Sequence, residues 1–156
     1  MTADDGRTAV YAAELAAFEG TSYEALTSFD ELLALARLIT SASWWPRGDV
    51  PVVRARADSS TSSASQRGDA RPTVRLAASQ MTRATLIHEL AHVLAGVGSG
   101  HGPGFRRAHV DLTGFAFGEA EAAWLLDAYA GMQLAAGTRA WTQPPLGDGC
   151  VGAMAL

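Results

Sequence analysis

Apolar positions recur along the chain with two different spacings, and the spacing separates helices from strands. Residues 5–19 carry Val10, Leu15, Ala17 and Phe18 on a loose helical face, with Gly20 at the exit. Residues 28–40 predict a second helix. Ser28 and Glu31 form a capping-box pattern ahead of Leu32, Leu33, Leu35, Leu38 and Ile39. Trp44-Trp45-Pro46 breaks that helix, and the Trp pair reads as packing. Residues 50–57 alternate apolar residues with arginine (Val52, Arg54, Ala55, Arg56) and predict a strand. Residues 58–70 are rich in Ser, Gly and Asp and read as a mobile loop, either a lid or a linker. Residues 72–78 predict a second strand, where Pro72 suits a strand start or a sheet edge. Such an edge could pair with an extended peptide, or the strand could be an ordinary member of the sheet.

Three helices complete the pattern. Ser79 or Thr82 caps one that runs to about Gly96. The Gly-rich turn from Gly98 to Gly104 leads into a short helix at 103–113, bracketed by Pro103 and Gly114. The last covers 118–134, with Ala122, Leu125, Leu126 and Tyr129 as its buried stripe. The expected fold is α+β, with several helices on a small sheet. Residues 1–136 read as one domain and 137–156, rich in Gly and Pro, as a flexible tail.

Composition narrows the function classes. Apolar residues make up 48% of 156 and charged residues 18%, which suits a soluble domain with its own core. The net charge of −4 argues against binding nucleic acid through global charge, although a local Arg patch stays open. No apolar run is long enough for a membrane span, and Met-Thr-Ala-Asp-Asp-Gly lacks the regions of a signal peptide, so a cytoplasmic location is expected. The single cysteine, Cys150, excludes an internal disulfide and a multi-thiolate zinc site. It reads as an inert tail residue or as a switch that caps a metal. All 12 basic residues are Arg, which reflects coding bias more than chemistry.

The four histidines all fall between His88 and His109. Residues 88–92 read His-Glu-Leu-Ala-His within the predicted 82–96 helix. Residues four apart lie about 40° from each other around a helix, so His88 and His92 can converge on one ion with Glu89 beside them. Leu86, Leu90, Val93, Leu94 and Val97 form the opposite, buried stripe, and Ala84 and Ala95 leave room on the His face. A catalytic zinc needs a third protein ligand and one open position. His101, just past the Gly-rich turn, is the first candidate, and Asp111 is the rival. His109 could close a four-ligand structural site instead, which would leave Glu89 without a task.

The order of motifs resembles that of the SprT-like zinc metalloproteases, members of the HExxH metallopeptidases. It runs from the strand Thr73-Val74-Arg75-Leu76, through His88-Glu89-Leu90-Ala91-His92, to His101-Gly102-Pro103-x-Phe105. The chain is similar, more closely, to a small and functionally uncharacterised group of metallohydrolase-like proteins of actinobacteria and their phages. Arg7-x-x-Val10-Tyr11-Ala12-Ala13-Glu14 and Gly118-Glu119-Ala120-Glu121-Ala122-Ala123 fit that group. The resemblance implies a zincin-like fold, one zinc ion on His88, His92 and His101, and Glu89 as catalytic acid/base. The basic segments or Cys-rich ribbon that often follow the SprT-like domain are missing here, so cleavage of DNA-bound proteins does not carry over. Gly104 stands where an acidic residue is common.

The expected activity is zinc-dependent hydrolysis of a peptide bond, with a peptide or protein as substrate. Arg106, Arg107, His109 and Tyr129 are candidate oxyanion donors, each with an ordinary structural reading beside it: a solvated face for the arginines, packing for His109 and Tyr129. Two other classes stay open: a hydrolase of non-peptide amides, and a non-catalytic zinc module that binds a protein.

Overall fold

The computed structural model describes residues 6–147. Five α-helices and a three-stranded sheet form a mixed α+β architecture. Helix α1 spans Arg7–Phe18 and α2 spans Phe29–Thr40. Strands β1 (Val52–Arg54), β2 (Ser63–Ser65) and β3 (Thr73–Leu76) follow. Then come α3 (Arg83–Ala95), α4 (Pro103–Ala116) and α5 (Glu119–Gly131). Among the described residues no helix is long and apolar enough to cross a membrane.

Local chemistry sets several boundaries. The Ser28 side chain accepts from the Glu31 backbone N–H and starts α2, one half of the capping box. The Glu31 carboxylate accepts instead from the hydroxyl of Thr27 and from Arg83. Thr82, rather than Ser79, caps α3 by accepting from the Thr85 N–H. Gly114 does not end α4, which runs on to Ala116. A Cβ at Gly114 would sit 3.0 Å from Leu146 and 3.4 Å from Ala122, so this glycine serves close packing.

The sheet departs from the sequence reading in two ways. Strand β3 is central, parallel to β1 and antiparallel to β2, so it is not an edge free to receive a peptide. Pro72 falls just outside its ladder, where a missing N–H costs nothing. The loop at 58–70 also supplies β2, which its polar residues hold rather than apolar burial. The Ala77 N–H donates to Ser62 Oγ (2.9 Å) and the Ser62 N–H to Gln80 Oε1 (2.6 Å).

The core lies between α1, α3, α4 and α5, with α2 and the sheet against α3. Helix α3 is buried nearly all round, not on one stripe. Ala84 is part of the core and does not line an open face. On α1, Val10, Ala13, Glu14 and Phe18 are buried, whereas Leu15 is exposed. On α5, Leu125 and Tyr129 are buried and Leu126 is exposed. Trp44 and Trp45 are buried, and Trp44 meets Phe115 edge-on.

Residues 137–147, read as part of a flexible tail, lie along α4. Arg107 donates to the Gly137 carbonyl, Arg139 forms a two-pronged pair with Asp111, and the Gly147 N–H donates to the Gly114 carbonyl. Cys150, and with it the switch reading, lies outside the described residues.

Phe117, fully buried past the end of α4, stacks on Tyr23 (4.0 Å between centroids) and meets Phe18 edge-on. Phe117→Ala is expected to lower the unfolding free energy by about 3–5 kcal/mol. A urea titration followed by tryptophan fluorescence reads this directly.

Candidate metal centre

Helix α3 places His88 and His92 one turn apart, and the chain beyond it returns the third histidine. Gly96 and Gly100 carry φ of 106° and 64°, conformations that an L side chain resists. They turn the backbone so that His101 faces α3 just before α4 begins. His101 Nε2 then lies 3.1 Å from His92 Nε2 and 3.3 Å from His88 Nε2. Zinc–nitrogen bonds of 2.0–2.1 Å in a tetrahedral arrangement put neighbouring ligand atoms about 3.3 Å apart. Both distances from His101 match the spacing of ligands on one ion, the three ligand atoms all lie within 4.8 Å of one another, and the group could hold a metal.

Phe105 gives the downstream motif its physical meaning. Its ring lies 5.0 Å from His88, 4.4 Å from His92 and 4.9 Å from His101, so one fully buried side chain supports all three imidazoles. Arg106 holds the His101 backbone by donating to its carbonyl (2.9 Å).

Behind His88 stands Glu14, which the sequence reading quotes within the 7–14 run but gives no role. Glu14 Oε1 is 3.4 Å from His88 Nδ1 and 3.3 Å from His109 Nε2, longer than ordinary hydrogen bonds. His109 Nδ1 in turn lies 2.6 Å from the Tyr129 hydroxyl. Burial pushes the Tyr129 hydroxyl far above its ordinary value, so it stays protonated and can donate to Nδ1. Both imidazoles can then turn an N–H toward Glu14, leaving His88 Nε2 free to face His92 and His101. Burial opposes a charge on Glu14, but His88 and His109 outweigh it and hold the carboxyl at about 2. Burial also opposes a charge on His88, and Glu14 overcomes this and raises its basicity. Glu14, His88 and His109 form a second group able to hold a metal, wholly enclosed and sharing His88 with the first.

Glu89 is buried beside the histidines, and burial raises its carboxyl to about 7 against the opposing pull of His88. Tyr11 is a second residue that sequence reasoning missed. Its ring stacks on His88 at 5.0 Å and 8° and tilts against His101 at 5.8 Å. It remains 41% exposed, so it forms part of the wall that solvent reaches.

The remaining candidates have other tasks. Asp111 is not with the histidines: it accepts from Arg139 and from Trp141 Nε1. Arg106 is buried, not solvated, and also donates to the Ala135 carbonyl. Arg107 holds the Gly137 carbonyl. His109 faces Glu14, and Tyr129 is core with its hydroxyl engaged.

Compared with protein-family models, with curated proteins and with solved structures, the chain matches none.

The two rival third ligands separate cleanly by substitution. His101→Ala is expected to lose tightly held metal on purification. Asp111→Ala is expected to keep it while releasing residues 137–147 to limited proteolysis. Metal analysis and mass spectrometry of the digest read the two effects.

Proposed function

We propose that the chain is a zinc-dependent hydrolase acting on peptide bonds, with His88, His92 and His101 as zinc ligands and Glu89 as general base. The observation that carries this reading is three clustered histidines, with His101 Nε2 at ligand spacing from the other two, and a buried carboxylate beside them that is outside the cluster. A purely structural zinc has no use for that carboxylate. His109, the residue that could have closed such a site, faces Glu14 instead. The donor set of three imidazoles suits zinc. The same residues are those the SprT-like resemblance picks out, which supports a zincin-like reading of the fold.

A zinc ion held there would supply Lewis acidity and a water of lowered pKa. Glu89, on the same turn as His88, is placed to take the proton of the attacking water and pass it to the leaving amine. Tyr11 lies against two of the ligand imidazoles and stays accessible, and burial raises its hydroxyl above the ordinary value. It is the donor we assign to the developing oxyanion, in place of the four candidates engaged elsewhere. Glu14 positions His88 through Nδ1, an outer contact of the kind that fixes ring orientation at metal sites.

Zinc-loaded Glu89→Gln is expected to keep its metal and lose about 10²–10⁴-fold in peptide hydrolysis. Glu14→Gln should keep the fold and weaken zinc about 10–100-fold, measured by competition with a chromophoric chelator. Failure of the zinc-loaded wild type to cleave any member of a diverse peptide library would refute the peptidase reading. Turnover of small amides in the same assay would replace it with a non-peptide amidase. A failure of the protein to hold zinc would refute both and leave a non-catalytic module.

A further inference from the structure

A cleft of about 370 Å³ opens beside the candidate metal centre. It shares Tyr11 and Glu14 with the surroundings of His88, and it is lined by Thr85, one helical turn ahead of Glu89 on α3. The chemistry of its wall is one-sided. Two carboxylates, Glu14 and Glu24, line it, and no cationic side chain does. Glu14 is held by His88 and His109. Glu24 has no side-chain hydrogen bond or ion pair among the described residues. The rim is apolar: Leu15 and Leu26 are 52% and 68% exposed, and both line the cleft.

We propose that this cleft is a substrate subsite for a basic side chain, an arginine or lysine of the peptide, with Glu24 as the residue that selects it. A long basic side chain has two parts, and each has a counterpart here. Its methylene stem needs apolar surface, which Leu15, Leu26 and the Tyr11 ring offer. Its charged head needs an anion, which Glu24 supplies. An uncharged or acidic side chain would leave Glu24 half-buried without a partner. Burial and the charge of Glu14 push the Glu24 carboxyl up to about 7, the condition of a carboxylate that lacks a cation. The inference rests on the hydrolase reading for its substrate class, because the cleft adjoins the centre where the scissile bond would lie.

The test uses blocked alanine-based peptides in which one Arg is moved stepwise along the sequence, beside matched peptides with norleucine or Glu at the same place. Binding is measured by calorimetry on zinc-loaded Glu89→Gln protein. Cleavage is measured by mass spectrometry on zinc-loaded wild type. At one position Arg should be favoured over norleucine by about tenfold or more, the worth of one charge-assisted contact. In Glu24→Gln that gap should shrink to about twofold or less, and Glu24→Arg should turn the preference toward Glu. Thermal melts of the Glu24 variants verify the fold. Cleavage without any Arg preference overturns the subsite and leaves the hydrolase reading standing. A Glu24-dependent Arg preference in binding, with no cleavage by wild type, supports the subsite and overturns the peptidase reading. Peptides neither bound nor cleaved overturn both.

Discussion

The buried carboxylate of Glu14 is the constraint around which the helices are arranged. A charge in a helical core is costly unless protons are brought to it. Here α3 and α4 each bring one, through His88 and His109, and α5 fixes the second ring through Tyr129. Three helices therefore meet at one oxygen atom, and a fourth braces the arrangement through the His109 ring. On the far side of His88 the same ring points its other nitrogen at His92 and His101. The orientation of the candidate ligand and the solvation of the buried charge are one problem with one solution. Phe105 completes it by packing against the rings of His88, His92 and His101.

Local signals made part of this legible. The histidine spacing and the Thr82 cap belong to a single helix, and they appear in the sequence as neighbours. The His-Gly-Pro-x-Phe run encodes a turn, a helix start and a packing residue within five positions. Glu14 was hidden because a carboxylate in an Ala-rich helix reads as solvent-facing. Its one signal was position, four residues from both Val10 and Phe18, and this placed it on the buried face. The link from His109 to Tyr129 spans 20 residues, and that from Glu14 to His109 spans 95, so no periodicity reports them. Leu15 and Leu126 illustrate the opposite error. Their apolar side chains suggested burial, yet packing turned them outward.

The polar residues of α4 follow a related logic. Arg106, Arg107 and Asp111 looked like solvent or catalytic groups, and each instead holds a segment that lacks regular structure. A chain that leaves α5 without forming another helix must satisfy its backbone elsewhere. The guanidinium groups accept that role at the Ala135 and Gly137 carbonyls. Arg106 also fixes the His101 carbonyl, so the same side chain joins the segment after α5 to the loop that presents His101.

The contact of Glu14 with groups from α3 and α4, the second of them held from α5, also orders events during synthesis. Helix α1 leaves the ribosome first, carrying an acid whose partners do not yet exist. His88 and His92 follow much later, and the hydroxyl that fixes the His109 ring emerges only with α5. Until then nothing replaces the water that the Glu14 carboxylate would lose as the apolar face of α1 docks. The nascent chain thus exposes two histidines of the HExxH segment before the scaffold that aims them is assembled. The alignment of His88, His92 and His101 is therefore complete only once α1, α4 and α5 have packed around α3.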